Sequence, residues 1–253
     1  MSSHLYLTGM VLSAMPVGEY DKRISLLTRE RGKVSGFVRG ARRANNHMIA
    51  AANPFVFGRF EAYEGRNSYT FSKAEVENYF ESISTDLSNV YYGSYFLEMA
   101  EYYGRENLDE SERLKLLYQS LRALGSGKFS SELVKIVYEL RTMFINGEYP
   151  NVYSCKTCGK KQEIGYFSIK EHSVFCREHA EGKDTVRLSD SVLYAMQFIM
   201  GTPIEKLYTF KLTPEAEKEL SDIVTRYRKK YHGHEYKSEA MLSDSLLSDK
   251  PLI

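Results

Sequence analysis

KRISLLTRERGKVSGFVRGARR, residues 22–43, decides how the first third of this chain is read. Two β-rich runs, residues 23–28 and 33–39, flank the turn signal Arg31-Gly32, and Gly40 opens a longer polar stretch. The same window holds eight bases, Lys22, Arg23, Arg29, Arg31, Lys33, Arg39, Arg42 and Arg43, against the single acid Glu30, a net +7. Working outward, residues 5–14, 55–63 and 68–76 read as further strands, separated by Pro16-Val17-Gly18, by residues 40–54 and by Gly65-Arg66-Asn67. Five short strands fit a small closed barrel such as the OB-fold, and other small barrels nearly as well. Residues 44–53, ANNHMIAAAN, read as a mobile loop.

From about Ser88 the apolar period becomes helical. Tyr92, Tyr95, Phe96, Met99 and Tyr103 fall on one stripe, and Leu114, Leu117, Tyr118, Leu121 and Leu124 on a second that follows a capping-box-like Asp109/Glu112 start. Leu133 to Phe144 and Val192 to Ile199 carry two more stripes. Thr213-Pro214 opens a last helix through Tyr231, with a capping side chain and a first-turn proline. These stripes read as packing faces. The expected architecture is α+β: a small closed barrel such as an OB-fold over 1–80, helices over 81–150, a zinc-binding module over 151–183, helices again over 184–237, and a disordered tail over 238–253. The total charge is only +1, because residues 81–150 carry a net −4 and offset the basic window.

Cys155-Lys-Thr-Cys158 is followed, after seventeen intervening residues, by Cys176-Arg-Glu-His179. Each pair offers two ligands at a two-residue gap, and two such knuckles supply the four ligands of tetrahedral zinc. Every cysteine of the chain is used. The competing readings are three buried thiols with a surface histidine, and a redox pair at Cys155 and Cys158. The second lacks a surrounding βαβ pattern. Four soft ligands close the shell, so the site is expected to be structural, with His179 favoured over His172 as the fourth ligand.

The basic window suits a phosphate backbone, since guanidinium groups fork onto phosphate oxygens. All eight of its bases are candidate DNA contacts. Phe37, Phe55 and Phe57 fall on the same faces as Arg39 and Arg59, and read either as barrel core or as stacking platforms for bases. Arg226, Arg228, Lys229 and Lys230 end the last helix, where cations complement the helix dipole; DNA contact is the other reading. There is no run of eighteen apolar residues, no secretory pattern in Met1-Ser2-Ser3-His4, and an odd cysteine count, which together point to a cytoplasmic protein. No P-loop, HExxH or GxSxG is present, so no catalytic residue is assigned and a non-enzymatic binding role is expected.

Thr8-Gly-Met-Val-Leu12, Gly18-Glu-Tyr-Asp21, Leu26-Leu-Thr-Arg-Glu-Arg-Gly-Lys33, Val38-Arg-Gly-Ala-Arg-Arg43 and Asn53-Pro54-Phe55 together resemble the opening of the RecO family of bacterial recombination mediators. The resemblance extends over essentially the whole chain. Arg39 stands where a lysine is common, and His179 where many zinc-bearing members have a fourth cysteine. What the resemblance implies is an OB-fold followed by a helical domain that carries one structural zinc. It also implies binding of single- and double-stranded DNA, annealing of complementary strands, and loading of RecA onto strands coated by single-strand-binding protein. The implied partners are RecR, RecF and the acidic C-terminal tail of single-strand-binding protein, with no membrane and no small-molecule substrate. The implied location is the bacterial cytoplasm, in association with the nucleoid. A zinc-bearing RNA-binding or transcription adaptor is the alternative that the residues alone leave open.

Overall fold

A computed structural model describes residues 4–66 and 68–248. Met1–Ser3, Asn67 of the expected turn and residues 249–253 of the expected tail lie outside the described residues. The chain divides into two compact units, Met1–Gly127 with Glu235–Ile253, and Lys128–His234.

The first unit is built on strands β1 (His4–Val17), β2 (Asp21–Thr28), β3 (Gly32–Val38), β4 (Phe57–Glu64) and β5 (Tyr69–Asn78). They close in the order β1-β2-β3-β5-β4, with β3 and β5 parallel and the other pairs antiparallel, which is the OB-fold arrangement. Closure depends on β1. Its first half pairs with β4 and its second half with β2, Gly9 and Met10 pairing with both, and a bulge between Val11 and Ser13 interrupts the ladder with β2. Alternate side chains, among them Leu7, Val11, Ile24, Leu26, Val34, Phe60 and Phe71, fill the interior.

Two expectations are corrected here. Residues 44–53 are not a mobile loop but a folded cap of turns, with Met48, Ala51 and Ala52 buried in the barrel core. Lys22 fastens the cap by donating from Nζ to the Ala52 carbonyl at 3.2 Å and to Asn53 Oδ1 at 2.6 Å. Phe55 does not begin a strand. It has φ 72°, and its ring rests against Gly93 of the helix introduced next.

Helices α1 (Glu81–Ser84), α2 (Leu87–Tyr103) and α3 (Ser111–Gly125) belong to the same unit. Asp86 caps α2 by accepting from the Ser88 amide at 2.8 Å. Asp109 accepts from the Ser111 amide at 2.9 Å, while Glu110 occupies the cap position of α3 and receives Arg113 Nε at 2.7 Å. The expected Asp109/Glu112 box is therefore replaced by an Asp109 turn followed by a Glu110–Arg113 pair.

The second unit contains α4 (Ser131–Ile145), a small sheet of β6 (Ile164–Ser168), β7 (Ser173–Cys176) and β8 (Val186–Arg187), the short α5 (Arg177–Ala180), then α6 (Asp190–Gly201) and α7 (Pro214–Tyr231). Ser130, Ser189 and Thr213 each cap their helix through a side-chain oxygen, as the serine and threonine preference at that position requires. Helices α4, α6 and α7 pack on one another around Val137, Leu140, Val192, Ile199, Leu220 and Val224. Inside this core Glu139, fully buried, faces Arg228 Nε at 3.2 Å and Lys135 Nζ at 3.9 Å.

The tail expectation is corrected over its first part: α8 (Lys237–Ser248) is a helix of the first unit. The Glu98 carboxylate on α2 accepts from the amides of Lys237 and Ser238, each at 2.9 Å, and Tyr236 packs edge-on to Tyr95.

Candidate nucleic-acid interface and metal centre

The hairpin of β2 and β3 places the eight basic residues, and it separates them. Lys22 pairs with Val38 at one end and Thr28 with Gly32 at the other. At about 3.3 Å per residue those ends lie roughly 20 Å apart. Lys22, Arg23, Arg39, Arg42 and Arg43 gather at the first end. Arg29, Arg31 and Lys33 stand at the second.

The second group is largely engaged within the unit. Lys33 Nζ donates to the Glu101 carbonyl of α2 at 2.6 Å. Arg31 lies 3.9 Å from the Glu64 carboxylate. Arg29 is exposed on the rim of a hollow of about 480 Å³ floored by Phe57, Leu114 and Tyr118.

Of the first group Arg23, Arg39, Arg42 and Arg43 face outward, while Lys22 is turned onto the cap. Met15, Arg23 and Phe37 are consecutive partners across β1, β2 and β3, so their side chains share one face, and Ser35 next to Phe37 accepts from Arg23 Nε at 2.9 Å. Arg39 lies over Phe37, its guanidinium carbon 5.4 Å from the ring centre, and pairs with Asp21 at 2.5 Å. The Gly40 amide and the Arg39 guanidinium hold the Asp21 carboxyl below its usual range. Arg43 stacks on Tyr20 at 4.5 Å. Burial against the cap, then the charge of Arg42, lowers the Lys22 ammonium.

Sequence reasoning missed three residues here. Met15 is 60% exposed, Tyr20 41% and Val17 36%, an apolar edge set among five cations. The signal was present in β1, whose β-forming character runs past Ala14 through Val17. Of the three phenylalanines left open between core and stacking, Phe57 packs edge-on to Tyr118 at 4.8 Å and Phe55 lies on α2, while Phe37 is half-exposed on the basic face.

In the second unit the Cys155 and Cys158 knuckle turns at Gly159, whose φ of +73° a side chain would oppose, and Gly159 N donates to the Cys155 carbonyl at 2.9 Å. Cys176 ends β7 and becomes the cap residue of α5, which presents His179 one turn later. The ligand atoms of Cys155, Cys158, Cys176 and His179 all lie within 4.8 Å of one another. The Cys158 and Cys176 sulfurs are 3.9 Å apart. That is far beyond the ~2.05 Å of a disulfide. It matches the edge of about 3.8 Å in a tetrahedron of thiolates at ~2.3 Å from a metal. Burial resists ionisation of Cys155, but amides of Cys158, Cys176 and Thr157 directed at its sulfur outweigh burial and bring the thiol down to about 6. The donor set thus fits a bound metal ion. His172 sits elsewhere: its Nδ1 is 2.9 Å from the Tyr227 hydroxyl and its ring stacks on Tyr231.

Of the basic residues that end α7, Arg228 is 2% exposed and committed to Glu139, while Arg226, Lys229 and Lys230 are exposed. Among the described residues no helix is long and apolar enough to cross a membrane.

An OB-fold barrel, a helical extension and a second helical unit with a Cys3His cluster define a class of barrel proteins with an appended metal module. Residues 1–80 match the family described as Recombination protein O N terminal, and residues 84–240 match Recombination protein O C terminal. The chain belongs to this RecO family of DNA repair proteins. It is similar to proteins named DNA repair protein RecO from several bacteria. That of Acetivibrio thermocellus is 27% identical over 90% of this chain and 91% of the relative. That of Thermoanaerobacter sp. is 29% identical over 93% and 95%, and that of Bacillus subtilis 25% over 97% and 96%.

Proposed function

We propose that this chain is a non-enzymatic recombination mediator that binds DNA through its barrel and anneals complementary strands. The observation that carries the reading is the outer face of β1, β2 and β3, where Arg23, Arg39, Arg42 and Arg43 surround exposed Met15, Val17 and Tyr20, with Lys22 at its edge on the cap. Cations there neutralise phosphates, and the apolar edge with Phe37 offers a surface to unpaired bases. Annealing needs no bond chemistry. Two strands repel, and a protein that screens both lowers the barrier to pairing.

Arg29 and Arg31 are proposed as outlying phosphate contacts, and Lys22 and Lys33 as the weaker members of the eight because their ammonium groups already serve the cap and α2. Family membership supports action in the cytoplasm and nucleoid with RecR, with RecF, and with single-strand-binding protein through its acidic tail, so that RecA is loaded on coated strands. The metal is proposed to be a single structural zinc on Cys155, Cys158, Cys176 and His179, since three thiolates and an imidazole at tetrahedral spacing select it.

The test is annealing of complementary strands coated with single-strand-binding protein. The whole chain is expected to accelerate it, and the variant combining Arg39→Ala, Arg42→Ala and Arg43→Ala to lose most of that acceleration. Equal rates for the two proteins overturn the barrel assignment. Stronger binding of RNA than of single-stranded DNA would move the protein to the adaptor class.

A further inference from the structure

A cleft of about 530 Å³ opens in the second unit beside the metal cluster. Its walls come from the loop after Cys158, from β6, from the start of α5, from β8 and from α6. Lys161 lies three residues beyond Cys158, and Arg177 directly follows Cys176, so the residues of the cluster position both. Neither Lys161 nor Arg177 forms an ion pair among the described residues, and both are exposed.

The third cation, Arg187, is built in. Its Nη1 donates to the Ile164 carbonyl at 3.1 Å, and its guanidinium carbon lies 5.1 Å from the centre of the Tyr166 ring. The guanidinium passes over Gly165, where φ is +142° and a Cβ would collide with Nη1. Glycine is thus required for this arginine to reach its place. Tyr194 of α6 also lines the cleft, its ring 65% exposed. The two acids of the cleft are already paired, Glu163 with Lys160 at 2.5 Å and Asp190 with Arg187 at 3.5 Å.

We propose that this cleft is a second binding site for a single nucleic-acid strand, with Lys161 and Arg177 on phosphates and a base against Tyr194 or the Arg187–Tyr166 stack. Unpaired cations, a fixed guanidinium and exposed aromatic rings are what strand binding without sequence preference uses. A peptide carboxylate would use the cations alone, whereas a strand also uses the exposed rings. The proposal rests on the reading that the chain binds DNA, and it adds that one chain holds strand at two places.

The experiment uses the whole, metal-loaded protein and an oligothymidylate of about 8 nucleotides carrying one 5-iodouracil. Irradiation and peptide mapping locate the captured bases, and a tight-binding titration counts oligonucleotides per chain. The expected result is two strands per chain, with crosslinks in the peptide around Tyr20 to Phe37 and in a peptide holding Tyr166 or Tyr194. Combining Lys161→Ala, Arg177→Ala and Tyr194→Ala is expected to lower the second crosslink about tenfold, leave the first, and reduce the count to one. The barrel variant with Arg39, Arg42 and Arg43 changed to alanine is expected to do the reverse. Crosslinks confined to the barrel overturn this proposal and spare the barrel reading. Crosslinks confined to the cleft overturn the barrel reading instead, and a count of zero overturns both. If oligoglutamate displaces the strand from the cleft at lower concentration than oligothymidylate does, the cleft is a peptide site and the proposal fails.

Discussion

Arg39 and Arg228 carry the same guanidinium group in opposite surroundings. Arg39 has 69% of its side chain exposed at the end of the barrel hairpin, beside one carboxylate and several like charges. Arg228 has 3% exposed in the helical unit and faces a carboxylate with no exposure at all. The first has a neighbour that competes weakly with incoming phosphate. The second cannot be uncovered without opening the core. A surface ion pair contributes little, about 0–1 kcal/mol, whereas removing one member of a buried pair strands a charge. Counting bases along the sequence cannot separate these two roles; burial and the partner do.

The largest expected effect tests the buried side of this comparison. Glu139→Gln leaves Arg228 and Lys135 facing a neutral group inside the helical unit, and is expected to destabilise that unit by about 3–5 kcal/mol. Denaturant unfolding followed by hydrogen exchange resolves the unit. A loss under ~1 kcal/mol would mean that water reaches the cluster. The next test concerns the open side. The combined Arg39→Ala, Arg42→Ala and Arg43→Ala variant is expected to keep its melting temperature while its salt dependence for single-stranded DNA becomes shallower by about 2 in slope. An unchanged slope removes these residues from the interface.

Lys33 lies between the two cases and sharpens the contrast. Lys33→Met removes the bond to the Glu101 carbonyl and is expected to cost roughly 1 kcal/mol, with the salt slope unmoved. A slope shallower by about 0.7 would return Lys33 to the phosphate-binding set.

The smallest effect is a dependence on pH in the second unit. Burial, then the charges of Lys156 and Lys230, hold the His172 imidazole below its ordinary value. The stability it contributes is complete above about 6.5, the unfolded value, and is lost as pH falls through the lower folded value. His172→Gln should flatten the change in melting temperature below that pH; an identical profile in both proteins would place the acid sensitivity elsewhere.

The Cys155, Cys158, Cys176 and His179 cluster was legible because its chemistry is written in spacing. Two pairs at fixed gaps need no knowledge of the fold, and the structure brings all four together. The strands were legible from alternation, and the helix starts at Ser130 and Thr213 follow from capping oxygens. What escaped depends on long-range pairing. Lys22 and Arg29 look adjacent in a basic window, yet a β-hairpin sends them to opposite ends. Residues 44–53 look structureless because alanine and asparagine carry no period, yet Met48 and Ala52 find a barrel mouth to fill. The segment forming α8 follows no long apolar stripe and gains its place through the Glu98 carboxylate, more than a hundred residues earlier. Phe55 reads as the start of a strand by its neighbours, while its φ is positive and its ring lies on α2.

The docking of α8 on α2 also sets an order of events during synthesis. The stretch Lys128–His234 lies between the two parts of the first unit in the chain. Translation at about 5–20 residues per second takes roughly 5–20 s to cross those hundred or so residues. For that interval the nascent barrel and its helices present the Tyr95 side of α2 without the helix that will cover it. The first unit to begin folding is therefore the last to be finished, and the second unit has time to fold as a self-contained insert while the first still waits for its closing piece.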